Sequence, residues 1–298
     1  MSEKTAQYAQ LQQTITDEFF RIAGFSPRGF LRRLFGPLLW LPTRKFAKLG
    51  VDFDNQVAEY GMGETSRRFL QHWANVSQAH GAEKIPKEGP LIITSNHPGT
   101  FDAFSVMSNM QRDDFKLIIS GVPVVRSLPA AGKYLIYTTS DPHGRMNVVR
   151  TATRHVREGG CLMLFPTGIL DPDPEIMPGA YEALGNWSRS IELILRRAPE
   201  ALVQVAIVSG VLPPGALNTP VARLAKENWK KQRLAEFTLV ARHLATNKTF
   251  DVEPKVSFGT PVTVDQLRAV DKTSTLMDGI ICQARTQLSI HTEIFPSY

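Results

Sequence analysis

Short apolar runs alternate with amphipathic stretches from residue 86 to the end of the chain. Each apolar run stops at a Gly- or Pro-containing turn, a pattern typical of buried β-strands. The predicted strands lie near residues 91–95, 116–120, 134–139, 161–165, 203–209 and 254–258. Helical periodicity fills the intervals, as over 101–112, 147–158 and 180–198, while 236–246 fits a strand or a helix. This alternation predicts an α/β fold with a twisted, mostly parallel or mixed sheet flanked by helices.

The first 80 residues follow a different pattern. Apolar positions from residue 3 to about residue 80 repeat with helical spacing, with predicted breaks at residues 24–27, at Gly36-Pro37 and at Pro42. Residues 81–90 then concentrate Gly, Pro and charged side chains and predict a boundary. We therefore predict an N-terminal helical subdomain over residues 1–85 and an α/β domain over residues 86–298.

The amino-acid composition indicates which broad class of protein the chain belongs to. The chain is 43% hydrophobic and 21% charged, which indicates a globular protein rather than a disordered one. Its two cysteines, Cys161 and Cys282, form neither a disulfide framework nor a metal motif and suit a reducing compartment, so we expect a cytoplasmic protein. Residues 2–18 are polar and do not predict a signal peptide. The longest uncharged stretch, residues 201–222, contains Pro and Gly and predicts a strand and a loop rather than a membrane span.

Positive charge is concentrated near the N-terminus. Residues 19–51 contain seven Lys or Arg and no acidic residue, so this segment alone exceeds the net charge of +6 of the whole chain. Large aromatic residues are interleaved with these cations: Phe19, Phe20, Phe25, Phe30, Phe35, Trp40 and Phe46. This mixture favours binding to an anionic membrane surface, where aromatics enter the interface and cations face the head groups. Packing onto the α/β domain is a compatible alternative, and nucleic-acid binding is disfavoured because no recognisable zinc-finger, RNP-type or KH motif is present.

A histidine and a carboxylate follow the first predicted strand of the α/β domain. His97 and Asp102 stand five positions apart in the sequence NHPGTFD. Pro98 and Gly99 disfavour a helix through His97, and Thr100 suits an N-cap, so the helix would begin between the pair and allow His97 to reach Asp102. The carboxylate would fix the imidazole tautomer and leave the other ring nitrogen free to accept a proton. The pair is therefore a candidate general base with its orienting group.

A second block, Phe165-Pro166-Thr167-Gly168, follows another predicted strand and begins 68 residues after His97. Together the two blocks resemble the glycerolipid acyltransferase family, whose Asn-His-x4-Asp block precedes a Phe-Pro-Glu-Gly block at a similar spacing. The resemblance extends over about residues 86–262 and includes weaker blocks at 132–138, 203–208 and 255–261. It implies the fold of that family, with Asn96, Gly99 and the loop from Phe165 to Gly168 shaping the pocket.

Several positions depart from the family blocks. Thr138 stands where the family has Arg, Thr167 where it has Glu, and Gln204 where it has Pro. Because Thr cannot replace the bidentate phosphate binding of Arg, the acceptor is left open. Arg145 and Arg150, near the start of the predicted helix 147–158, are alternative candidates for binding an anionic head group at a helix N-terminus. A solvated helix face is the favoured explanation of both arginines.

The acidic segment 171–175, DPDPE, raises the question of a metal site. Its prolines instead indicate a turn-forming loop, and it lacks the ligand spacing of a calcium loop. We therefore expect a mobile loop beside the active site, with no metal and no redox cofactor.

The resemblance implies an O-acyltransferase that moves a fatty acyl group from acyl-CoA or acyl carrier protein to a glycerol phosphate or a lysophospholipid. His97 would be the general base and Asp102 its orienting group, at the inner face of a membrane. Two alternatives remain open: a thioester or ester hydrolase that uses the same pair, and an inactive lipid-binding homologue.

Overall fold

A seven-stranded β-sheet forms the centre of the protein in the computed structural model, which describes residues 3–22, 26–99, 101–120, 123–139, 141–246, 248–269 and 275–296. The strands are β1 (Gln78–His80), β2 (Leu91–Ser95), β3 (Phe115–Ser120), β4 (Leu135–Thr138), β5 (Cys161–Leu164), β6 (Leu202–Ser209) and β7 (Lys255–Phe258). Their order is β1-β7-β6-β2-β5-β3-β4. The five strands from β6 to β4 are parallel, whereas β7 is antiparallel to β6 and parallel to β1. This mixed, mostly parallel sheet confirms the predicted fold class.

Helices pack on both faces of the sheet. The N-terminal helices are α1 (Glu3–Ile22) and α2 (Phe30–Trp73). The helices between the strands are α3 (Asp102–Met107), α4 (Pro123–Arg126), α5 (Pro129–Gly132), α6 (Pro142–Arg157), α7 (Ala180–Ala183), α8 (Ser190–Leu195) and α9 (Asn228–Thr246). After β7 come α10 (Val264–Arg268) and α11 (Leu276–Ile294). None of these described helices is both long enough and apolar enough to span a membrane.

The alternation of side chains along β2 assigns its residues to two separate cores. Leu91 and Ile93 point into a core shared with α1 and α2, whereas Ile92 joins the opposite core beneath α6, α8 and α11. All five β2 side chains are buried, as expected for a central parallel strand covered on both faces. β2 is therefore a rigid support for the residues that follow it.

The predicted breaks at Gly36-Pro37 and Pro42 are wrong, because α2 continues through both prolines. Each proline removes one helical hydrogen bond, a cost that packing can outweigh. Thr43 donates its hydroxyl to the Leu39 carbonyl, and Ala47 is fully buried in the core below. The interruption lies instead at Gly61, whose φ of 80° is outside the helical region. Gly24 and Phe25, in the other predicted break, lie outside the described residues.

Other boundaries also differ from the prediction. α6 begins at Pro142 because Asp141 accepts a hydrogen bond from the Gly144 N–H and proline occupies the first turn. The ambiguous segment 236–246 is part of helix α9. The predicted helix 180–198 is divided between α7 and α8. β1, which the sequence pattern did not predict, pairs with β7 although it precedes the predicted boundary at residues 81–90. The division at residue 85 remains a prediction.

Candidate active site

Two loops meet at one edge of the sheet. β2 and β5 are parallel neighbours, with Thr94 opposite Leu164, so the residues after them leave the sheet at the same edge. His97 follows β2 and Phe165 follows β5, and their rings stack with centroids 4.4 Å apart and an interplanar angle of 22°. The carboxyl edge of a parallel sheet is where ligands bind in α/β proteins.

His97 contacts Asp102 directly. The imidazole Nδ1 lies 2.7 Å from Asp102 Oδ2, and the same oxygen accepts the Gly99 N–H at 3.2 Å. Asp102 is the first residue of α3 and its side chain is fully buried, while 26% of the His97 side chain is exposed. With Asp102 ionised, Nδ1 carries the proton of the neutral ring and Nε2 is free to accept one. The predicted N-cap, Thr100, lies outside the described residues.

The electrostatic environment of His97 favours its protonated form. Burial, the largest single effect, lowers the pKa of the imidazole. The opposing attraction of Asp102, with smaller contributions from Glu236 and Asp171, outweighs it and raises the pKa above 6.5. Because a general base must be neutral to accept a proton, the active form is the deprotonated one. The same carboxylates would stabilise the imidazolium formed during a reaction.

Several hydrogen bonds hold the loop from Phe165 to Asp171 against His97. The Gly168 N–H donates to the Phe165 carbonyl in a tight turn, and the φ of +69° at Gly168 suits glycine. The Pro166 carbonyl accepts the Ser188 N–H. Thr167 donates its hydroxyl to Asp171 Oδ2 at 2.8 Å, and Asp171 is only 2% exposed.

The Asp173 carboxylate attaches the following part of the same loop to the residues after β6. Asp173 is fully buried and accepts N–H groups of Glu175, Gly210 and Val211 at 3.0, 3.1 and 3.0 Å. Burial raises the pKa of Asp173 to about 6 despite these bonds. The segment 171–175 forms a loop, as expected, and both of its aspartates are buried and accept backbone N–H groups. Its mobility remains a prediction. Among the described residues, no group of three His, Cys, Asp or Glu is arranged to hold a metal.

The segment that contains both loops was compared with models of known protein families. Residues 76–186 match the family model named Acyltransferase, and this segment contains both loops. Over this segment the chain is similar to members of the acyltransferase family. The match confirms the resemblance found in the sequence. No curated protein sequence matches the chain.

One solved structure similar to this protein is the 1-acyl-sn-glycerophosphate (LPA) acyltransferase PlsC from Thermotoga maritima. The two share 13% sequence identity with a TM-score of 0.48, over 97% of this chain and 100% of that chain.

Two residues predicted to shape the pocket, Asn96 and Gly99, hold the loop after β2 in place. The Asn96 side chain donates to the Val208 carbonyl and accepts the Val208 N–H, both at 2.8 Å, so it joins the end of β2 to β6. Gly99 lies against α9, where an added Cβ would clash with the Glu236 carboxylate and approach Val211 Cγ2 to 3.0 Å. Their role is close packing around His97, and a direct substrate contact remains a prediction.

The two predicted arginines, Arg145 and Arg150, lie on α6, away from the two loops at His97 and Phe165. Arg145 and Arg150 are exposed on α6, and no described hydrogen bond or ion pair joins either one to His97 or to the Phe165 loop. At the start of α6, the Gly144 N–H already donates to Asp141 at 2.7 Å, so the helix cap occupies an amide that an anion would need. Head-group binding by Arg145 or Arg150 remains a prediction that no contact supports.

Three buried residues around His97 were not identified from the sequence. Asp171 contacts the His97 main chain, and Gln232 Nε2 on α9 donates to the Asp171 carbonyl at 2.7 Å and to the Pro98 carbonyl at 3.3 Å. Glu236, one turn further along α9, contributes negative charge at His97. These residues lie 74 to 139 positions from His97, and local patterns carry no signal for such long-range contacts.

Proposed function

We propose that this protein transfers a fatty acyl group from acyl-CoA or acyl carrier protein to a hydroxyl of a glycerol phosphate or a lysophospholipid. The contact between His97 and buried Asp102 carries the proposal, because it leaves one imidazole nitrogen of a half-buried base available at the sheet edge. The family match supports acyl transfer in general. The acceptor and the donor are inferred from the resemblance of the sequence blocks.

The chemistry requires one proton acceptor and no added reductant or oxidant. His97 Nε2 removes the proton of the acceptor hydroxyl as its oxygen attacks the thioester carbonyl. The tetrahedral intermediate then expels the thiolate, which takes the proton from the imidazolium, and the products are an ester and a free thiol. Asp102 keeps Nδ1 protonated and stabilises the transient positive charge. Phe165, stacked on the ring, limits rotation of the imidazole.

A panel of acceptors tests the proposal. Wild-type protein and His97→Ala are incubated with labelled acyl-CoA or acyl carrier protein and with glycerol 3-phosphate, lysophosphatidic acid, other lysolipids or simple alcohols. We expect a labelled ester with at least one phosphate-bearing acceptor and none with the variant. Release of free fatty acid without acceptor would instead establish a hydrolase. Lipid binding without turnover would establish an inactive homologue.

We expect acyl transfer to increase with pH through a value above 6.5. The pKa of His97 is raised in the folded protein, so its neutral form becomes dominant only above that pKa. Below it, kcat/KM falls about tenfold per pH unit because the free enzyme carries the imidazolium. The measurement is kcat/KM from about pH 5.5 to about pH 8.5, corrected for uncatalysed thioester hydrolysis. A profile that is flat or decreasing over this range would contradict a His97 base.

We also propose that the N-terminal helices bind the inner face of an anionic membrane. On α2 the large apolar side chains of Phe30, Leu34, Phe35, Trp40 and Leu41 are 45 to 75% exposed. The cations of Arg33, Arg44 and Lys48 are exposed beside them. Other members of the segment 19–51 pack inward, since Phe20 is 3% exposed and Arg32 pairs with Asp17 at 2.8 Å. The side chains of Phe19 and Arg21 lie outside the described residues, as does Phe25.

Replacing Trp40 and Leu41 together by serine is expected to weaken vesicle binding by about tenfold or more, because both side chains would leave the lipid interface. Sedimentation with phosphatidylglycerol vesicles measures the effect, and higher salt or neutral phosphatidylcholine should weaken wild-type binding. Leu224→Ser is the matched control, since Leu224 is 81% exposed outside the N-terminal helices. Binding that ignores lipid charge and salt, or an equal loss in Leu224→Ser, would rule out this surface.

A further inference from the structure

Asp171 holds the main chain of His97 on both sides. The His97 N–H donates to Asp171 Oδ2 at 2.9 Å, and the Asp171 N–H donates to the His97 carbonyl at 2.8 Å. One residue therefore binds both backbone groups of the candidate base, although the two lie 74 positions apart. Because the backbone torsions of His97 place its Cβ and limit the allowed rotamers, these two hydrogen bonds, called the main-chain clamp below, restrict where the imidazole points.

The main-chain clamp is itself held from two directions. Thr167 donates its hydroxyl to Asp171 Oδ2, the oxygen that also binds His97. Gln232 on α9 donates to the Asp171 carbonyl at 2.7 Å and is fully buried. Thr167 is the position where the resembled block has a carboxylate, and in this chain Asp171 brings a carboxylate to that hydroxyl from four residues further on. The loop after β5 and the loop after β2 are thus joined through one buried side chain.

Three carboxylates face His97 from the elements packed around it. Asp102 comes from α3, Asp171 from the loop after β5, and Glu236 from α9, and all three raise the pKa of the imidazole against the effect of burial. Burial raises the pKa of Asp171 as well, although the bonds from Thr167 and from the His97 N–H oppose that rise. Asp171 thus affects His97 in two ways: it binds the His97 main chain, and its negative charge raises the pKa of the His97 imidazole.

We propose that Asp171 is a positioning residue for His97, which fixes the His97 main chain so that Nδ1 stays on Asp102 while Nε2 faces the substrate. The inference rests on the acyl-transfer function proposed above. The inference gives the segment 171–175, for which the sequence predicted only a turn-forming loop, a role in the reaction.

Two substitutions separate the geometric effect of Asp171 from the effect of its charge. Asp171→Ala removes the acceptor of the His97 N–H, and we expect kcat to fall by about 10- to 100-fold with KM changed less than about threefold, because the base is misplaced while the substrate contacts remain. Asp171→Asn keeps an oxygen for the His97 N–H, and we expect kcat within about fivefold of wild type. In Asp171→Asn, the acid limb, which is the fall of kcat/KM at low pH, should move to lower pH because a negative charge near the imidazole is lost.

Asp173 supplies the matched control. It is buried in the same loop and also accepts backbone N–H groups, but these belong to Glu175, Gly210 and Val211 rather than to His97. Asp173→Asn is expected to lower Tm while leaving the kcat of the folded enzyme and its acid limb unchanged. Equal losses of kcat and an unmoved acid limb in the Asp171 and Asp173 variants would overturn the proposal and leave Asp171 with a purely structural role.

A titration that needs no turnover separates this inference from the proposed function. The ring resonance of His97, assigned by its absence in His97→Gln, reports the pKa of the imidazole in isotopically labelled protein. That pKa should decrease in Asp171→Asn and stay constant in Asp173→Asn. An unchanged value in Asp171→Asn would contradict the effect of the Asp171 charge on His97 even if acyl transfer is observed, while the main-chain contact is tested by the kcat of Asp171→Ala. If the pKa of His97 decreases in Asp171→Asn but the wild-type protein shows no acyl transfer, only the proposed reaction is refuted.

Discussion

Replacing His97 by glutamine is expected to lower kcat by about 10²- to 10⁴-fold, the range that a positioned general base contributes. This factor corresponds to about 3 to 5 kcal/mol of transition-state stabilisation. Glutamine can still bind Asp102, but it cannot accept a proton at neutral pH, so the hydroxyl must attack without a base. The measurement is the steady-state rate with the best acceptor found in the panel.

The control for this substitution is His143→Gln. His143 lies exposed on α6, so the change is chemically the same but away from the candidate site. We expect wild-type kcat in the control and an unchanged Tm in both variants. A His97→Gln enzyme that retains more than about a tenth of wild-type kcat would exclude His97 as the general base.

The pairing of His97 with Asp102 depends on residues that are close in the sequence, and it could be predicted from the sequence. His97 and Asp102 are five positions apart, and the Pro98-Gly99 interruption was enough to infer that a helix starts between them. The loop from Phe165 to Gly168 was expected at the pocket because its block resembles that of the family, and the adjacency of β2 and β5 in the structure explains why Phe165 meets His97. The first inference needed only local stereochemistry, whereas the second rested on the resemblance.

The contacts that complete the site depend on tertiary packing. Nothing in the sequence around Asp171 indicates that its carboxylate binds the His97 N–H, because the acidic, proline-rich segment also fits an exposed turn. Gln204, a departure from the resembled blocks, is fully buried and donates to the Gly259 carbonyl at 2.9 Å, which joins β6 to the turn after β7. Likewise, Pro37 and Pro42 remain within α2, where α1 packs alongside and its Tyr8 and Gln12 side chains donate to the Arg44 and Trp40 carbonyls.

The substitution Asp102→Asn is expected to lower kcat by about 10²-fold or more while leaving the fold intact. Asparagine has the same shape, and its oxygen can accept both the His97 Nδ1 proton and the Gly99 N–H that Asp102 Oδ2 accepts now. What it removes is the negative charge that stabilises the imidazolium as the proton moves. Asp102 is fully buried, so little solvent screens this charge.

The pH dependence of this loss distinguishes an orienting carboxylate from a residue that only supports the fold. Without the charge of Asp102, the pKa of His97 decreases, so more of the variant carries a neutral base under acidic conditions. The ratio of wild-type to Asp102→Asn kcat/KM should therefore be smallest at acidic pH and increase toward a plateau above the wild-type pKa. A variant that had only lost folded protein would show a ratio independent of pH within its stable range. Measuring both profiles with one acceptor decides between these roles, because the direction of the change follows from the charge of Asp102 alone.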